Sequence, residues 1–134
     1  MTTGHKNFIV LDIETDGIGS FRPGRQRPIQ VSYVKCDHKG TILKTYNKFI
    51  KGAYTIRSPV FPADWSLEQI NRDGIDIAEC VEEIENDIDE HTRIVGHNID
   101  FDIDCIVYLC PSNKINKTKR ICTMKNSVSF CKIP

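Results

Sequence analysis

One short segment, Asn7 to Glu14, constrains the fold more than any other part of the chain. It opens with the apolar run Phe8 to Leu11, and such a run is typical of a strand that is buried on both faces. A strand of this kind lies in the middle of a sheet that helices cover. The sequence therefore predicts an α/β fold with this strand near the centre of its sheet.

The same segment ends in two carboxylates, Asp12 and Glu14. Residues two apart on a strand point to the same face, about 6.6 Å apart along the strand. Unpaired carboxylates at the end of a buried strand would repel each other and resist desolvation. A divalent cation removes both costs, and carboxylate oxygens are ligands of Mg²⁺ and Mn²⁺. A metal site and a frayed strand end that exposes both acids explain the pair equally well.

The rest of the chain completes an α/β pattern with a mixed sheet in one domain, residues 1–134. Alternating apolar residues, turn residues and helix-capping residues give the remaining elements. The expected elements are a strand Pro28 to Cys36, a turn at Lys39-Gly40, a hairpin strand Thr41 to Ile50, an irregular stretch Lys51 to Asp64, a helix capped by Ser66, a helix capped by Asp76 with Ile77, Val81, Ile84 and Ile88 on one face, a buried strand Thr92 to Gly96, a helix capped by Asn98 with Ile99, Ile103, Ile106 and Val107 facing the core, a polar basic loop Asn113 to Arg120, and a helix from Met124.

Bulk properties exclude several classes of protein. The 18 basic and 18 acidic residues give zero net charge, so any contact with nucleic acid depends on local patches rather than on a global basic field. The apolar runs are too short to span a membrane, and the N-terminus lacks the apolar stretch of a signal peptide. Six cysteines without a Cys-x-x-Cys pair predict free thiols in a reducing compartment, the cytoplasm or the nucleus, and argue against structural zinc.

A second group of carboxylates follows the predicted strand Thr92 to Gly96. Asp102 falls in the first turns of the predicted helix, with Asp100 and Asp104 on either side. An acid is favoured near a helix N-terminus by the helix dipole. Three acids are more than this effect requires, and their mutual repulsion predicts a cation nearby.

Two motifs together resemble those of the DEDD superfamily of 3′–5′ exonucleases, the group similar to proofreading subunits. Phe8 to Gly17 resembles the first motif, Asp-x-Glu-Thr, and Gly96 to Asp102 resembles the second, with Gly-His-Asn and Phe-Asp at its two ends. Arg27 to Val31 and Asp73 to Ile75 stand where that family has similar elements. The resemblance covers nearly the whole chain. It implies a ribonuclease-H-like fold, two Mg²⁺ or Mn²⁺ ions, and release of nucleotides from a DNA or RNA 3′ end.

The resemblance also implies a role for individual residues. Asp12 would bridge both ions, Glu14 would hold the ion that activates water, and Asp102 would support the ion facing the leaving oxygen. The residues that would contact the terminal nucleotide or shape the wall of the site are Thr15, Asp16, His97, Asn98 and Phe101.

The third motif of that family, a His or Tyr followed four residues later by Asp, is missing. No His, Asp or Glu follows Asp104, and Tyr108 has Ser112 at the fourth position after it. The expectation is a domain truncated at its C-terminus, with a weakened water-activating site and little activity. A missing final helix would bare one sheet face, which predicts an exposed apolar patch and a homodimer or a polymerase-like partner. The competing interpretation is a non-catalytic module that binds nucleic acid or another partner.

Two basic stretches remain without a role. Basic loops beside a carboxylate site would suit a phosphate backbone, although most such loops are solvated surface. Trp65 and Phe21 would stack on bases or, as aromatic residues more often do, pack within the protein. The basic residues are Arg22, Arg25 and Arg27 in the first stretch, and Lys114, Lys117, Lys119 and Arg120 in the second.

Overall fold

The computed structural model describes residues 5–16, 27–52 and 65–125. They form a five-stranded mixed sheet with helices, and the predicted α/β class is confirmed. The elements are β1 (Asn7–Thr15), β2 (Pro28–Cys36), β3 (Ile42–Phe49), α1 (Leu67–Asp73), α2 (Ile77–Asn86), β4 (Thr92–Gly96), α3 (Ile99–Leu109), α4 (Asn113–Lys117) and β5 (Lys119–Cys122).

The strands lie in the order β3-β2-β1-β4-β5, so β1 is the central strand. Strands β1, β2 and β3 are joined in antiparallel pairs, whereas β4 runs parallel to both β1 and β5. Parallel neighbours end at the same edge of a sheet. The carboxyl ends of β1, β4 and β5 therefore meet at one end of the molecule, which we call the carboxyl end of the sheet.

The burial of β1 differs from the prediction. One face, with Ile9, Leu11 and Ile13, is buried in the main core, where it joins apolar residues of α2 and α3. On the other face Val10 is 45% exposed, and Asp12 and Glu14 are also exposed. In the described part of the chain nothing covers this second face, so a strand expected to be buried on both sides is buried on one.

The hairpin between β2 and β3 forms as predicted. Gly40 adopts φ +84°, a left-handed conformation that costs most other residues strain. The carboxylate of Asp37 accepts hydrogen bonds from the backbone N–H groups of Lys39 and Thr41, at 2.9 Å each. Trp65 packs edge-on against Phe49 of β3, with ring centroids 5.1 Å apart, which confirms packing as its role within this fold.

Helix starts are only partly as expected. Ser66 caps α1, since its side chain accepts a hydrogen bond from the N–H of Gln69. Asp76 and Asn98 occupy the N-cap positions of α2 and α3 without a side-chain capping bond. Asn98 lies in the left-handed region, at φ 61° and ψ 48°, rather than in the extended conformation of a capping residue.

The prediction of a basic loop from Asn113 to Arg120 is wrong. The segment contains a short helix, α4, and the start of an edge strand, β5. Ser112 caps α4 by accepting from the N–H of Ile115 at 3.2 Å, and it donates to Glu85 at 2.7 Å. This anchoring to α2 and the pairing of β5 with β4 are tertiary contacts, which the polar composition of the segment does not indicate.

Several predictions concern residues outside the described ranges. These are most of the irregular stretch Lys51 to Asp64 and the part of the helix from Met124 that lies beyond Lys125. Residues 123–125 are helical. Phe21, Arg22 and Arg25 also lie outside the described residues. Among the residues that are described, no helix is long and apolar enough to cross a membrane.

Candidate functional site

A glycine brings α3 close to the central strand. A Cβ atom added to Gly96 would lie 2.9 Å from the carbonyl oxygen of Leu11 and 2.7 Å from Cδ1 of Ile99. Both distances are shorter than ordinary contacts, so the turn between β4 and α3 approaches β1 closely only because residue 96 has no side chain. Leu11 directly precedes Asp12, and the first turn of α3 contains Asp102. The local geometry thus brings the two predicted motifs to the same end of the sheet.

The carboxylates of β1 are on the open face at that end. Asp12 and Glu14 pair with Ser32 and Gln30 of β2, and beyond Glu14 the register shifts by one extra residue on β2. A bulge of this kind bends the strand that carries the extra residue. Burial raises the pKa of Glu14, and the neighbouring charge of Asp12 raises it further.

Asp102 differs from the other acids of α3, because it is 5% exposed and shares the core-facing side of the helix with Ile99, Ile103 and Ile106. Burial, together with the negative charges of Asp12 and Glu14, raises its pKa to about 8. Among the described residues its Oδ2 atom has no hydrogen-bond partner. A buried carboxylate without a donor, facing two further carboxylates, is in an environment that favours a proton or a metal ion.

The three carboxylates are coupled electrostatically without forming a closed cluster. In the described ranges, no three His, Cys, Asp or Glu residues lie close enough together to form a ready metal-binding group. The chemistry of the donors nevertheless fits a divalent cation, since hard carboxylate oxygens repel one another and one of them lacks any donor. These side chains would have to draw together around an ion.

Asp100 is not part of this group. Its two oxygens accept from Arg120 at 2.7 Å and from Lys125 at 2.9 Å, which lowers its pKa. The cation that the acidic cluster predicted is therefore present beside Asp100, supplied by residues far away in the sequence. Asp102 has no such partner among the described residues, which sets it apart from its neighbour.

The residues expected to contact a terminal nucleotide surround this end of the sheet. Asp16 is 8% exposed, and its carboxylate accepts from the N–H of Arg27 at 2.7 Å, so it joins the two sides of the segment between β1 and β2. Thr15 is half-buried beside the register shift between β1 and β2. His97 and Asn98 are exposed in the β4–α3 turn.

One ring nitrogen of His97 makes a hydrogen bond within the protein. Its Nδ1 lies 3.1 Å from the hydroxyl of Thr123, and this contact ties the β4–α3 turn to the residues after β5. Phe101 is partly buried and packs against the main core. The imidazole is thus at the surface of the β4–α3 turn, and the phenyl ring lies against the core; their roles toward a nucleotide stay predictions.

Sequence reasoning did not identify Cys122 as part of this end of the molecule. Burial raises the pKa of its thiol, but the nearby backbone N–H groups of Lys125, Ile99 and Asn98 outweigh burial and lower the pKa overall. The thiol therefore lies between the end of β5 and the start of α3. Nothing in the spacing of the cysteines signals this contact, because it depends on the pairing of β5 with β4.

Comparison with known proteins supports the fold. No known family profile matches the chain, and no curated protein is significantly similar to it in sequence. Among solved structures, E. coli exonuclease I bound to a dT13 oligonucleotide superposes with a TM-score of 0.76 at 19% identity. That match covers 94% of this chain and 30% of the exonuclease I chain, so the chain spans about a third of that protein.

Two more distant structures have the same architecture. One is a chain in the structure of the yeast NOT1 MIF4G domain co-crystallised with CAF1, with a TM-score of 0.65 at 12% identity over 93% of this chain and 64% of the other. The other is the cell-death related nuclease CRN-4, with a TM-score of 0.55 at 14% identity over 77% and 38%. At such identities the likeness shows the fold, which is that of an exonuclease-like, ribonuclease-H-like α/β domain.

Proposed function

We propose that the chain is a 3′–5′ exonuclease-type domain, with Asp12, Glu14 and Asp102 as ligands of Mg²⁺ or Mn²⁺. The observation that carries the proposal is the buried, unpartnered Oδ2 of Asp102 within the electrostatic reach of the other two carboxylates. A core position filled only for packing would not hold an acid whose pKa rises to about 8. The shared fold with exonuclease I and CRN-4 supports the choice of reaction.

Each carboxylate would have a distinct part in the chemistry. Asp12 and Glu14 are exposed on the open face of β1, where a nucleic-acid 3′ end can reach them. Asp102 approaches from the buried side and holds its proton near neutral pH when no cation is bound. Divalent cations would supply the positive charge that stabilises the attacking and leaving oxygens of phosphodiester hydrolysis.

The terminal nucleotide would lie against the carboxyl end of β1 and the β4–α3 turn. Backbone groups of Thr15 and Asp16 would face it from one side, and the exposed His97 and Asn98 from the other. Phe101 would support this wall from below, since it packs on the core. These residues would orient the scissile bond, and orientation accounts for much of the rate in phosphoryl chemistry.

Calorimetric titration with Mn²⁺ tests the ligand set. We expect wild type to bind, and Asp12→Asn to lose at least about tenfold in affinity, as losses in metal shells typically do. Glu82→Gln, an exposed acid of α2, is the matched control and should bind as wild type does. Titrations in buffers of different ionisation enthalpy should show about one proton released on binding near pH 7, because Asp102 must ionise. Equal affinity in Asp12→Asn and wild type would refute the site.

A strand-shortening assay tests the reaction itself. A 5′-labelled single strand with Mn²⁺ should lose nucleotides from its 3′ end in wild type and remain intact with Asp12→Asn. No His, Asp or Glu follows Asp104 in the sequence, so these 134 residues lack the third motif that would activate the attacking water. A polypeptide of these residues should therefore shorten the strand slowly. Binding of the strand without any shortening in either protein would favour the second candidate, a non-catalytic nucleic-acid-binding module.

A further inference from the structure

A basic cleft of about 510 Å³ lies at the end of the sheet opposite the carboxylates. Its walls are the connection from α2 to β4 and the segment from α4 to β5, and four cations line it: Arg93, Lys114, Lys117 and Lys119. Arg93 is the ladder partner of Lys119 at the amino ends of two parallel strands. Asp12 and Glu14 lie near the other end of β1. We call this feature the amino-end cleft.

The positive charge of the amino-end cleft is not neutralised by neighbouring acids. Among the described residues, none of its four cations takes part in an ion pair, whereas Arg120 in the same basic segment pairs with Asp100. The three lysines are exposed. In a chain whose net charge is zero, this local excess of positive charge attracts anions.

Two acids, Asp89 and Glu90, also line the cleft, and each contacts neighbouring residues of the protein. The carboxylate of Asp89 accepts from the backbone N–H of His91 at 2.8 Å, from the hydroxyl of Thr92 at 3.1 Å and from the side chain of Asn7 at 3.4 Å. Glu90 lies 3.3 Å from the imidazole of His91. Four cations and two acids line the cleft, so it remains positive on balance.

We propose that the amino-end cleft binds the phosphate backbone of single-stranded nucleic acid, at a point remote from the 3′ end held by the carboxylates. The choice of nucleic acid as the polyanion rests on the proposed function. Asn7 pairs with Thr92 at the cleft end of β1, and Glu14 lies seven residues further along the strand. At about 3.3 Å per residue the two sites are roughly 23 Å apart. A short strand would therefore occupy one site at a time, and a longer strand would bridge both.

The predicted mode of binding is electrostatic rather than base-specific. Lysines on flexible stems contact phosphates as point charges and release the counterions that surround the strand. Each phosphate contact to a single strand contributes about 0.7 to the slope of log affinity against log salt concentration. If each of the three lysines contacts one phosphate, together they should contribute about 2 to the magnitude of that slope.

The test compares two triple variants with wild type. The first replaces the cleft lysines, Lys114→Gln, Lys117→Gln and Lys119→Gln. The control replaces three exposed lysines that line no part of the cleft, Lys6→Gln, Lys39→Gln and Lys48→Gln, so that both variants lose the same charge. All six positions are on the surface, and circular dichroism checks that both variants fold.

The measurement is the affinity for a fluorescent oligothymidylate of about 16 nucleotides, at the upper end of known single-strand site sizes, over a range of salt concentrations in EDTA. We expect the cleft variant to lose about tenfold in affinity at low salt. Its slope of log affinity against log salt concentration should be shallower than that of wild type by about 2. The control should lose little of either. Equal losses in both variants would overturn the proposal, because the effect would then be one of net charge.

Two further outcomes separate the alternatives. Competition by polyglutamate as effective as competition by an unlabelled oligonucleotide would show a site for acidic peptides and would also overturn the proposal. Because EDTA removes divalent cations, this binding does not depend on the carboxylate site. The Mn²⁺ affinity of Asp12→Asn therefore tests the proposed function alone. The oligonucleotide affinity of the triple lysine variant tests the cleft alone, and if this variant binds as wild type does, the cleft proposal is wrong while the proposed function stands.

Discussion

The buried carboxylate of Asp102 should make the metal-free protein less stable as pH rises. Its pKa is raised in the folded state to about 8, from an ordinary value of 3.8. Below about pH 4 the carboxyl is protonated in both states, and its contribution to stability is fully present. Between about pH 4 and pH 8 only the folded state holds the proton, so the free energy of unfolding falls with rising pH and levels off above about pH 8.

The size of this effect follows from the same shift in pKa. A tenfold change in proton affinity corresponds to about 1.4 kcal/mol, so the rise from 3.8 to about 8 sets an upper bound of about 6 kcal/mol. A domain of this size is stable by about 5–15 kcal/mol. Even a third of the upper bound would shift the midpoint of a urea titration clearly.

Asp102→Asn is the perturbation that isolates the effect. The amide has the shape of a protonated carboxyl and cannot ionise, and its NH₂ group can donate to the neighbouring carboxylates. At about pH 4, in EDTA, we expect the variant and wild type to be similarly stable, because the carboxyl of wild type is then protonated in the folded state and substantially protonated in the unfolded state. At about pH 9 the variant should be more stable by about 2–6 kcal/mol, because only wild type carries the buried charge.

Urea denaturation followed by circular dichroism at both pH values provides the measurement. Asp104→Asn, a more exposed acid on the same helix, controls for the loss of a negative charge from α3. It should change stability by less than about 0.5 kcal/mol at either pH. Parallel pH profiles for wild type and Asp102→Asn would refute the reasoning, since Asp102 would then be ionised in the fold at no cost.

Three further changes test the fold around the site by the same denaturation assay. Gly96→Ala should cost about 1–3 kcal/mol, because its Cβ would lie 2.9 Å from the carbonyl oxygen of Leu11; no loss would show that the turn can shift. Gly40→Ala has open space around it and should cost about 1 kcal/mol through its left-handed φ alone, with Gly40→Asn close to neutral. Ser112→Ala removes the cap of α4 and the bond to Glu85, and should cost about 1–2 kcal/mol.

The central strand and the elements around it could be predicted because their signals are local. An apolar run, alternating residues and a Lys-Gly turn each lie within about ten residues of chain, and β1 to β4 follow them closely. The burial of β1 could not be predicted in the same way. An apolar residue such as Val10 raises the propensity for a strand whether or not another layer covers it.

Contacts between distant segments account for what the sequence did not reveal. Strand β5 has four residues at the sheet edge, two of them basic, and it forms because β4 offers it a parallel partner. Arg120 and Lys125 neutralise Asp100 from 20 and 25 residues away. The amino-end cleft likewise joins residues around Arg93 to residues around Lys117, so its charge is visible in the sequence but its shape is not.

Two costly features of the described chain lie at the carboxyl end of the sheet, the left-handed Asn98 and the unpartnered Oδ2 of Asp102. Both cost stability, and a fold that depended only on packing would gain nothing from them. Asp102→Asn therefore has two expected effects. It should raise the stability of the metal-free protein at high pH, which follows from burial of the acid alone. It should also remove the proton release that accompanies Mn²⁺ binding, and an acid that merely filled the core would release no proton when the ion binds.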